Sequence, residues 1–417
     1  MPKLLPHQQK IVDTLENKKG LWLRPRVGKT CTSIRLACKH SKSCLVIIPK
    51  HIKEQWQEEI DKWNNTDCQF TLITKERFRI DSIASIKKRG RGQTIIFSDK
   101  IPPHDTLLID EVHRQASNYA NKFFKTVDHY IQHHKVKNVW LLSGTPWNKN
   151  PWSVYSYGRL LGKDWKWKDW QGYFFTPVRM GMRIIFTPDE SKFPALVKLL
   201  FDLGVTVKLE DITGTVKDCT EVEYFDLNTE QKKMIKEVID TTPIARYGKY
   251  HQIESGTLKS DGYTSDVSID CDKDKRILEL AEDNDKLIIV CRYLHQIYKY
   301  SDMLSKALKK VLVIKGTMQE SLEYVRNRAE ELDKVVVIIQ ADKSDGYSLK
   351  SFSTMVFASM SYSFISYDQM KNRIKAMDKK EPCHYIHLLA RGKTVDKGVY
   401  DSVMKGQDFS EQLFNNK

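Results

Sequence analysis

The stretch that decides the fold is GLWLRPRVGKTCTSI, residues 20 to 34. Its apolar start predicts a buried strand, GKT predicts a tight turn, and the residues that follow predict the beginning of a helix. In a turn of this kind, Gly28 lets backbone N–H groups approach a phosphate, Lys29 reaches the phosphate oxygens and Thr30 holds Mg²⁺. The full phosphate-loop pattern (Walker A) also has a glycine five residues before Gly28, where this chain has Leu23. The short GKT motif alone also occurs in unrelated proteins.

A second stretch, HDTLLIDEVH at residues 104 to 113, reads as an apolar strand that ends in two carboxylates. At the carboxyl end of such a strand, Asp110 can hold Mg²⁺ through water, and Glu111 can orient and deprotonate an attacking water. The alternative is a strand followed by a solvated acidic turn. The presence of both stretches favours a site that binds and hydrolyses ATP with Mg²⁺.

Length and charge limit the classes of protein to which the chain can belong. A chain of 417 residues suggests two or three domains at ~100–200 residues per domain. Lys and Arg outnumber Asp and Glu by 68 to 53, which gives a formal net charge of +15. Such an excess favours a polyanionic partner, most simply nucleic acid, although solubility alone is the alternative.

Cysteine spacing and hydropathy indicate the compartment. The eight cysteines include no CxxC pair, so neither a zinc knuckle nor a disulfide framework is indicated. The first residues, MPKLLPHQQK, lack the apolar run of a signal peptide, and no run of about eighteen apolar residues occurs. The sequence therefore predicts a reduced, cytoplasmic protein without a membrane span.

The rest of the first half alternates predicted helices and strands. LLPHQQKIVDTL at residues 4 to 15 has the spacing of an amphipathic helix, and Gln8 within it can read an adenine edge. Strands are predicted at Cys44 to Ile48, Thr94 to Phe97 and Val139 to Leu142, which indicates a doubly wound α/β sheet. Ser143 and Thr145 follow the last of these, where ligand-responsive loops belong, or form a simple turn.

The second half repeats the alternation after two less regular segments. WKWKDWQGYFF at residues 165 to 175 either grips nucleic acid or forms a small helical protrusion packed on the first domain. Residues 241 to 271, rich in Gly and Ser, read as a mobile polar connection. Four further strands are predicted at 287–292, 311–316, 335–340 and 354–359, which indicates a second doubly wound domain.

The order GKT, DEVH and SGTP resembles the first motor domain of superfamily 2 helicases and translocases. The segments SGTPWNKNPWSVYS, LLPHQQ and EVEYFDLNTEQKKM are similar to those of its Swi/Snf branch. The resemblance implies two tandem RecA-like domains with a small helical insertion, divided as 1–155, 156–270 and 271–417. It also implies a DEVH-box hydrolase in which Gln8 contacts the adenine.

The same resemblance assigns residues of the second half. SYDQMKNRIKAM at 366 to 377 is similar to the final motif of the family, with Gln369 and Arg373 in place for the nucleotide and Ala376 where a second arginine is expected. Arg373 would complete the catalytic set. The positions implied in nucleic-acid contact or coupling are Lys50, Ser143, Thr145, Arg292, Gly316, Gln340 and Gly346.

Three functions follow as hypotheses. The first is an ATP-driven DNA translocase or helicase that moves along duplex DNA through sequence-independent phosphate contacts. The second is a non-hydrolysing nucleic-acid clamp derived from a motor, which Ala376 favours because a finger arginine contributes roughly 10³ to 10⁵ to turnover in related enzymes. The third is an RNA helicase, which shares the catalytic residues. The small size would suit a bacterial virus or prophage protein.

Overall fold

The computed structural model describes most of the chain: residues 2–24, 27–89, 92–116, 118, 120–147, 149–180, 183–207, 212, 218–239, 242–259, 267–307, 310–316, 322–343, 348–376, 379, 381–406 and 408–409. It divides into two compact units, Met1–Ile212 and Thr213–Lys417. None of the helices in these ranges combines the length and the apolarity that crossing a bilayer requires.

The first unit is built on a parallel sheet with helices on both faces. Its strands are β1 (Lys18–Leu23), β2 (Ser43–Ile48), β3 (Gln69–Thr74), β4 (Ile83–Arg89), β5 (Gly92–Phe97), β6 (Thr106–Ile109), β7 (Asn138–Leu142), β8 (Phe175–Met180), β9 (Arg183–Pro188) and β10 (Gly204–Val207). Its helices are α1 (Pro6–Thr14), α2 (Lys29–His40), α3 (Lys53–Trp63), α4 (Lys75–Asp81), α5 (Val112–Gln115), α6 (Lys122–His133), α7 (Pro151–Leu160), α8 (Trp167–Phe174) and α9 (Phe193–Asp202).

Six of these strands form the sheet in the order β10-β1-β7-β6-β2-β3, and every neighbouring pair is parallel. Successive residues of a strand point to opposite faces. Accordingly, Trp22 packs in one core cluster, whereas Leu21 and Leu23 pack in the other. Both faces are therefore buried under helices, which is the predicted doubly wound arrangement.

One predicted strand does not belong to this sheet. Residues Thr94 to Phe97 lie in β5, which pairs antiparallel with β4 in a separate two-stranded hairpin. The sheet is completed instead by β3, whose residues are only partly buried. β3 lies at the edge of the sheet, where a strand has one neighbour and shows a weaker apolar pattern.

The aromatic run at 165 to 175 is packed against the first unit. Trp170 and Phe174 are buried in the core, and the rings of Trp165 and Trp170 stack 4.8 Å apart. Trp167 stacks 4.3 Å from Trp152 of α7. These side chains are thus packed against the first unit, as the alternative of a helical protrusion predicts. Tyr173, in contrast, is 54% exposed.

The second unit repeats the architecture. Its strands are β11 (Cys219–Phe225), β12 (Thr257–Leu258), β13 (Val267–Ser268), β14 (Lys286–Cys291), β15 (Val311–Ile314), β16 (Val335–Gln340), β17 (Thr354–Phe357) and β18 (His384–Ala390). Its helices are α10 (Thr229–Glu237), α11 (Pro243–Glu254), α12 (Asp272–Asp283), α13 (Leu294–Ala307), α14 (Leu322–Glu331), α15 (Phe364–Lys371) and α16 (Val395–Met404).

The second sheet has the order β11-β18-β17-β14-β16-β15 and is parallel throughout. Adjacent residues of β14 again divide between two core clusters, with Ile288 and Val290 in one and Leu287 and Ile289 in the other. The chain therefore consists of two tandem RecA-like α/β domains, and the predicted fold class is confirmed. The division at residues 155 and 270 stays a prediction.

The segment predicted as a mobile polar connection contains a regular helix. α11 occupies 243–254, and its polar residues His251 and Glu254 are 0% and 4% exposed. They belong to a buried charge cluster with Lys273 and Asp396, both of which are also nearly inaccessible. The sequence suggested a linker because the segment is rich in Gly and Ser. Polar residues are seldom buried unless they have partners, and the partners of His251 and Glu254 are distant in sequence.

Hydrogen bonds satisfy the buried charge cluster. Glu254 accepts from the backbone N–H groups of Val395 and Asp396 at the start of α16, at 3.1 and 2.8 Å. The Asp396 carboxylate accepts from Lys273 and from His251 Nε2. Burial alone would raise the pKa of Asp396, but Lys273 and His251 outweigh it and lower this pKa to about 2. The cluster joins α11, α12 and α16 within the second unit.

Candidate functional site

The candidate site of the first unit lies at the carboxyl ends of β1, β6 and β7. β7 lies between the other two in the sheet, so the loops that follow these three strands emerge at the same edge. α2 begins directly after the loop of β1, with Gly28 as its N-cap and Lys29 as its first residue. The orphan N–H groups of a helix start favour an anion at this point.

Gly28 has a backbone conformation that demands glycine. Its φ is +87°, and a Cβ at this position would lie 2.0 Å from the Gln8 Nε2 atom. Gln8 is buried in α1 and donates to the Val27 carbonyl at 3.1 Å. Its Oε1 atom accepts from the Leu5 backbone at 2.9 Å. Gln8 therefore packs directly on the loop, with both ends of its amide engaged.

Lys29 meets both predicted acidic residues. Its Nζ atom lies 3.0 Å from Asp110 Oδ1 and 3.0 Å from Glu111 Oε1. Burial lowers the pKa of Lys29, but the attraction of Asp110 and Glu111 outweighs it, so this pKa lies well above its ordinary value. The side chain is 15% exposed. The ammonium is thus permanently charged and neutralised by two carboxylates.

The acidic pair is held in place by its own backbone and by a tryptophan. Glu111 has a φ of +48°, an uncommon value for a residue with a side chain, and its N–H donates to Asp110 Oδ1 at 2.9 Å. The other Asp110 oxygen accepts from Trp56 Nε1 at 2.9 Å. Backbone strain of this kind recurs at functional sites, where the surrounding structure holds it.

Two residues that contact the acidic pair, His113 and Trp56, were not predicted from the sequence as functional residues. His113 Nδ1 lies 3.3 Å from Glu111 Oε2 and 2.9 Å from Ser143 Oγ. The only signal for His113 was its place as the last letter of DEVH. Trp56 had none, because the spacing of α3 predicts burial and not a hydrogen bond to a carboxylate.

The residues predicted after β7 are joined to this cluster. Ser143 is fully buried, contacts His113, and accepts from the Thr145 N–H at 3.1 Å. A chain of contacts therefore runs from Glu111 through His113 to the SGTP loop. Lys50 is an exposed residue in a turn of 3₁₀ helix after β2, and none of the described contacts links it to the cluster.

In the second unit, the predicted residues fall into two local groups. Gly316 donates its N–H to Gln340 Oε1 at 2.8 Å, at the carboxyl ends of β15 and β16. Arg292 follows β14, with its guanidinium 3.8 Å from the Tyr362 ring centre and 3.5 Å from Asp342 Oδ2. Gly346 lies outside the described residues.

The second group lies at the end of α15 and directly after it. Gln369 is buried, and its backbone carbonyl accepts from Arg373 Nε at 3.1 Å. Lys375 pairs with Asp218 at 2.6 Å, and Ala376 stands where the family resemblance expects a second arginine. Gln369 and Arg373 are thus neighbours within the second unit.

Oxygen donors and a charged lysine define the chemistry of the first-unit site. Thr30, Asp110 and Glu111 offer hydroxyl and carboxylate oxygens, which are the ligands that Mg²⁺ prefers. Gly28, Lys29 and Thr30 at the start of α2 are partly exposed, so backbone N–H groups at this point can meet phosphate oxygens. The residues present fit a nucleoside triphosphate bound with Mg²⁺.

Comparisons with known proteins give a fold neighbour. No protein-family model matches the chain, and no curated protein sequence matches it. Among solved structures, the chain is similar to the "Sulfolobus solfataricus SWI2/SNF2 ATPase core in complex with dsDNA", at 18% identity. That similarity covers 100% of this chain and 92% of the other, with a TM-score of 0.41.

Proposed function

We propose that the protein is a nucleic-acid-stimulated ATPase that translocates along duplex DNA. The observation that carries the proposal is the ion pairing of Lys29 with Asp110 and Glu111 at the start of α2. A glycine turn, a lysine and two carboxylates at one sheet edge are the parts that phosphoryl transfer to water requires. The proposal that the nucleic acid is duplex DNA rests on the sequence resemblance to Swi/Snf-like motors.

In the proposed reaction, water attacks the γ-phosphorus of ATP, the bond to the β,γ-bridging oxygen breaks, and ADP and phosphate are released. Lys29 exchanges its carboxylate partners for phosphate oxygens and neutralises their charge. Glu111 orients the water and takes its proton, and His113 positions Glu111. Mg²⁺, which Thr30 and, through water, Asp110 would hold, supplies further neutralisation of phosphate charge.

Turnover tests the ATPase part of the proposal. We expect Lys29→Ala to abolish ATP hydrolysis while the chain stays folded, because the ammonium neutralises phosphate charge and contributes little to the core. ATP turnover should be measured with duplex DNA, single-stranded DNA, RNA or no nucleic acid, and duplex DNA should stimulate most. Lys42→Ala, which truncates an exposed side chain in the same unit, is the control. Normal turnover in Lys29→Ala would refute the site, and stimulation by RNA alone would favour an RNA helicase.

Salt dependence tests the DNA part. The formal charge of +15 and the expected phosphate contacts predict that the logarithm of the DNA association constant falls linearly with the logarithm of salt concentration. Duplexes of equal length and different sequence should bind equally. These affinities should be measured at several salt concentrations. A flat salt dependence or strong sequence preference would indicate a protein that reads base edges.

A second candidate function is a DNA clamp that does not hydrolyse ATP. Ala376 favours it, because a methyl group cannot replace a guanidinium. The pairing of Lys375 with Asp218 favours it further, since the neighbouring cation is already engaged within the second unit. DNA binding that weakens with salt, together with no ATP turnover whichever nucleic acid is added, would identify the clamp.

A further inference from the structure

Three metal-ligating side chains converge at the carboxyl end of α6, away from the residues of the proposed ATP site. Asp99, His133 and His134 each offer one ligand atom, and these atoms all lie within 4.8 Å of one another. His133 Nε2 and Asp99 Oδ1 are 3.2 Å apart. We call these three residues the histidine cluster.

The fold brings the histidine cluster together from two elements. α6 begins at an Asn121 cap and ends at His133, and His134 is its C-cap. Asp99 comes shortly after β5. Phe97 of β5 stacks on His129 of α6 with ring centres 3.8 Å apart and planes 7° apart. This stack holds the end of the β4–β5 hairpin against the last turns of α6.

A second stack continues towards the cluster. The His129 and His133 rings, one helical turn apart, stack with centres at 5.2 Å and planes at 14°. The ring of His134 is packed edge-on against Tyr130 at 4.7 Å. The two imidazoles of the cluster are therefore oriented by ring packing, and not only by the contact of His133 with Asp99.

The ligand types indicate which ions fit. Two imidazole nitrogens and one carboxylate oxygen suit zinc and related transition metals. A single carboxylate is too few for Ca²⁺, which takes six to eight oxygens, and Mg²⁺ also prefers oxygen ligands. The helix dipole also favours a cation at the carboxyl end of α6. Solvent-exposed His133 and Asp99 leave room for water as a further ligand.

We propose that the histidine cluster is a binding site for a divalent transition metal of the zinc class, with Asp99, His133 and His134 as ligands. A contact of His133 with Asp99 alone would not require His134 to approach both. A bound ion would link the segment after β5 to α6, and so fix the base of the β4–β5 hairpin, whose sequence IASIKKRGRGQTIIF is strongly basic.

The test is Zn²⁺ binding to the full chain with no affinity tag, measured by competition with a chromogenic chelator. We expect one Zn²⁺ per chain, lost or weakened at least about tenfold in His133→Ala, His134→Ala and Asp99→Asn, since even outer-shell changes cost that much. The matched control is His40→Ala, because His40 is also the exposed last residue of a 12-residue helix, α2. Zn²⁺ should raise the melting temperature of the parent and of His40→Ala, but not of His133→Ala.

Two results would overturn the proposal: no stoichiometric Zn²⁺ binding by the parent, or equal binding by the parent and His133→Ala. Thiol alkylation that removes binding while His133→Ala leaves it intact would place the ion on cysteines instead. Because the readout is metal binding, it is independent of ATP turnover. His133→Ala in zinc-free buffer should hydrolyse ATP like the parent, so failure of this site and failure of the proposed function are distinguishable.

Discussion

Lys29 makes the contact on which the candidate site depends. Its ammonium is shared between Asp110 and Glu111 at 3.0 Å each, so the two acidic residues and the lysine already neutralise one another in part. Phosphate oxygens must therefore compete with two carboxylates for the same cation. A nucleotide that binds here rearranges an existing set of ion pairs.

The variant Glu111→Gln tests whether Glu111 acts as the catalytic base, separately from any part it has in ATP binding. We expect ATP binding to persist and turnover to fall by roughly 10² to 10⁴, because the amide keeps the size and an acceptor oxygen but cannot take a proton. Binding of a fluorescent ATP analogue and single-turnover hydrolysis measure the two effects. Glu58→Gln, on an exposed position of α3, is the control. Unchanged hydrolysis, or loss of ATP binding, would remove Glu111 from the role of base.

Sequence reasoning could predict Lys29, Asp110 and Glu111 because each occupies a fixed place in a short motif. It could not predict Trp56, whose indole reaches Asp110 from another element. A hydrogen bond between residues far apart in the chain depends on how α3 is placed on the sheet. The pattern of apolar residues in α3 records only that Trp56 is buried.

At the scale of elements, β18 contains a histidine in the middle of a sheet. His387 is fully buried, and its ring stacks on Phe357 at 4.8 Å. Its Nε2 lies 3.0 Å from the Tyr367 hydroxyl, and its Nδ1 lies 3.3 Å from the Glu221 carbonyl. Burial lowers the pKa of His387 to about 4. The neutral imidazole is thus the form that the fold stabilises.

This pKa predicts an acid-sensitive second unit. The unfolded chain binds a proton on His387 below about pH 6.5, whereas the folded chain does so only below about pH 4. The free energy of unfolding should therefore fall, by about 3 kcal/mol in all from this residue, as pH drops from 6.5 to 4. Urea unfolding followed by hydrogen exchange in the second unit measures the change.

His387→Phe keeps a ring against Phe357 and removes the titrating group, so its stability should depend less on pH between 6.5 and 4. His384→Phe, the same substitution at the partly exposed start of the same strand, is the control. Equal slopes for the parent and His387→Phe would show that acid sensitivity arises elsewhere.

The elements that sequence reasoning misplaced share a physical cause. β5 was predicted as a strand of the main sheet, but antiparallel pairing with β4 satisfies its backbone within a hairpin. α11 lies in a segment that was predicted as a mobile connection from its Gly and Ser content, whereas His251 and Glu254 within it are buried. Strand pairing and the partners of buried charges are decided by contacts between distant segments, which local patterns do not contain.

At the scale of the whole molecule, the two tandem sheets were predictable because their buried parallel strands are nearly continuous apolar runs. LIIVC in β14 and VVVIIQ in β16 are examples. A role of the second unit in turnover would rest on Arg373, because Ala376 stands where the family resemblance expects a second arginine.

Arg373→Ala should lower DNA-stimulated turnover by roughly 10³ to 10⁵, because a finger arginine supplies that much in related enzymes. Ala376→Arg should leave turnover unchanged or raise it. The measurement is the rate of ATP hydrolysis at saturating duplex DNA. Lys375→Ala is the matched control, since its ammonium pairs with Asp218 within the second unit.

Parental activity in Arg373→Ala would contradict a catalytic role for the second unit and strengthen the clamp hypothesis. A loss of activity in Lys375→Ala equal to that in Arg373→Ala would instead show that Lys375 is the essential cation.

The buried charge cluster has a practical consequence for dissecting the chain. A recombinant fragment that began at residue 271 would lack α11, so Asp396 would lose His251 and the first turn of α16 would lose its Glu254 cap. It would also lack β11, which would turn β18 into an open edge, prone to pairing with other chains. The shortest autonomous piece that preserves the second sheet therefore begins at or before Cys219.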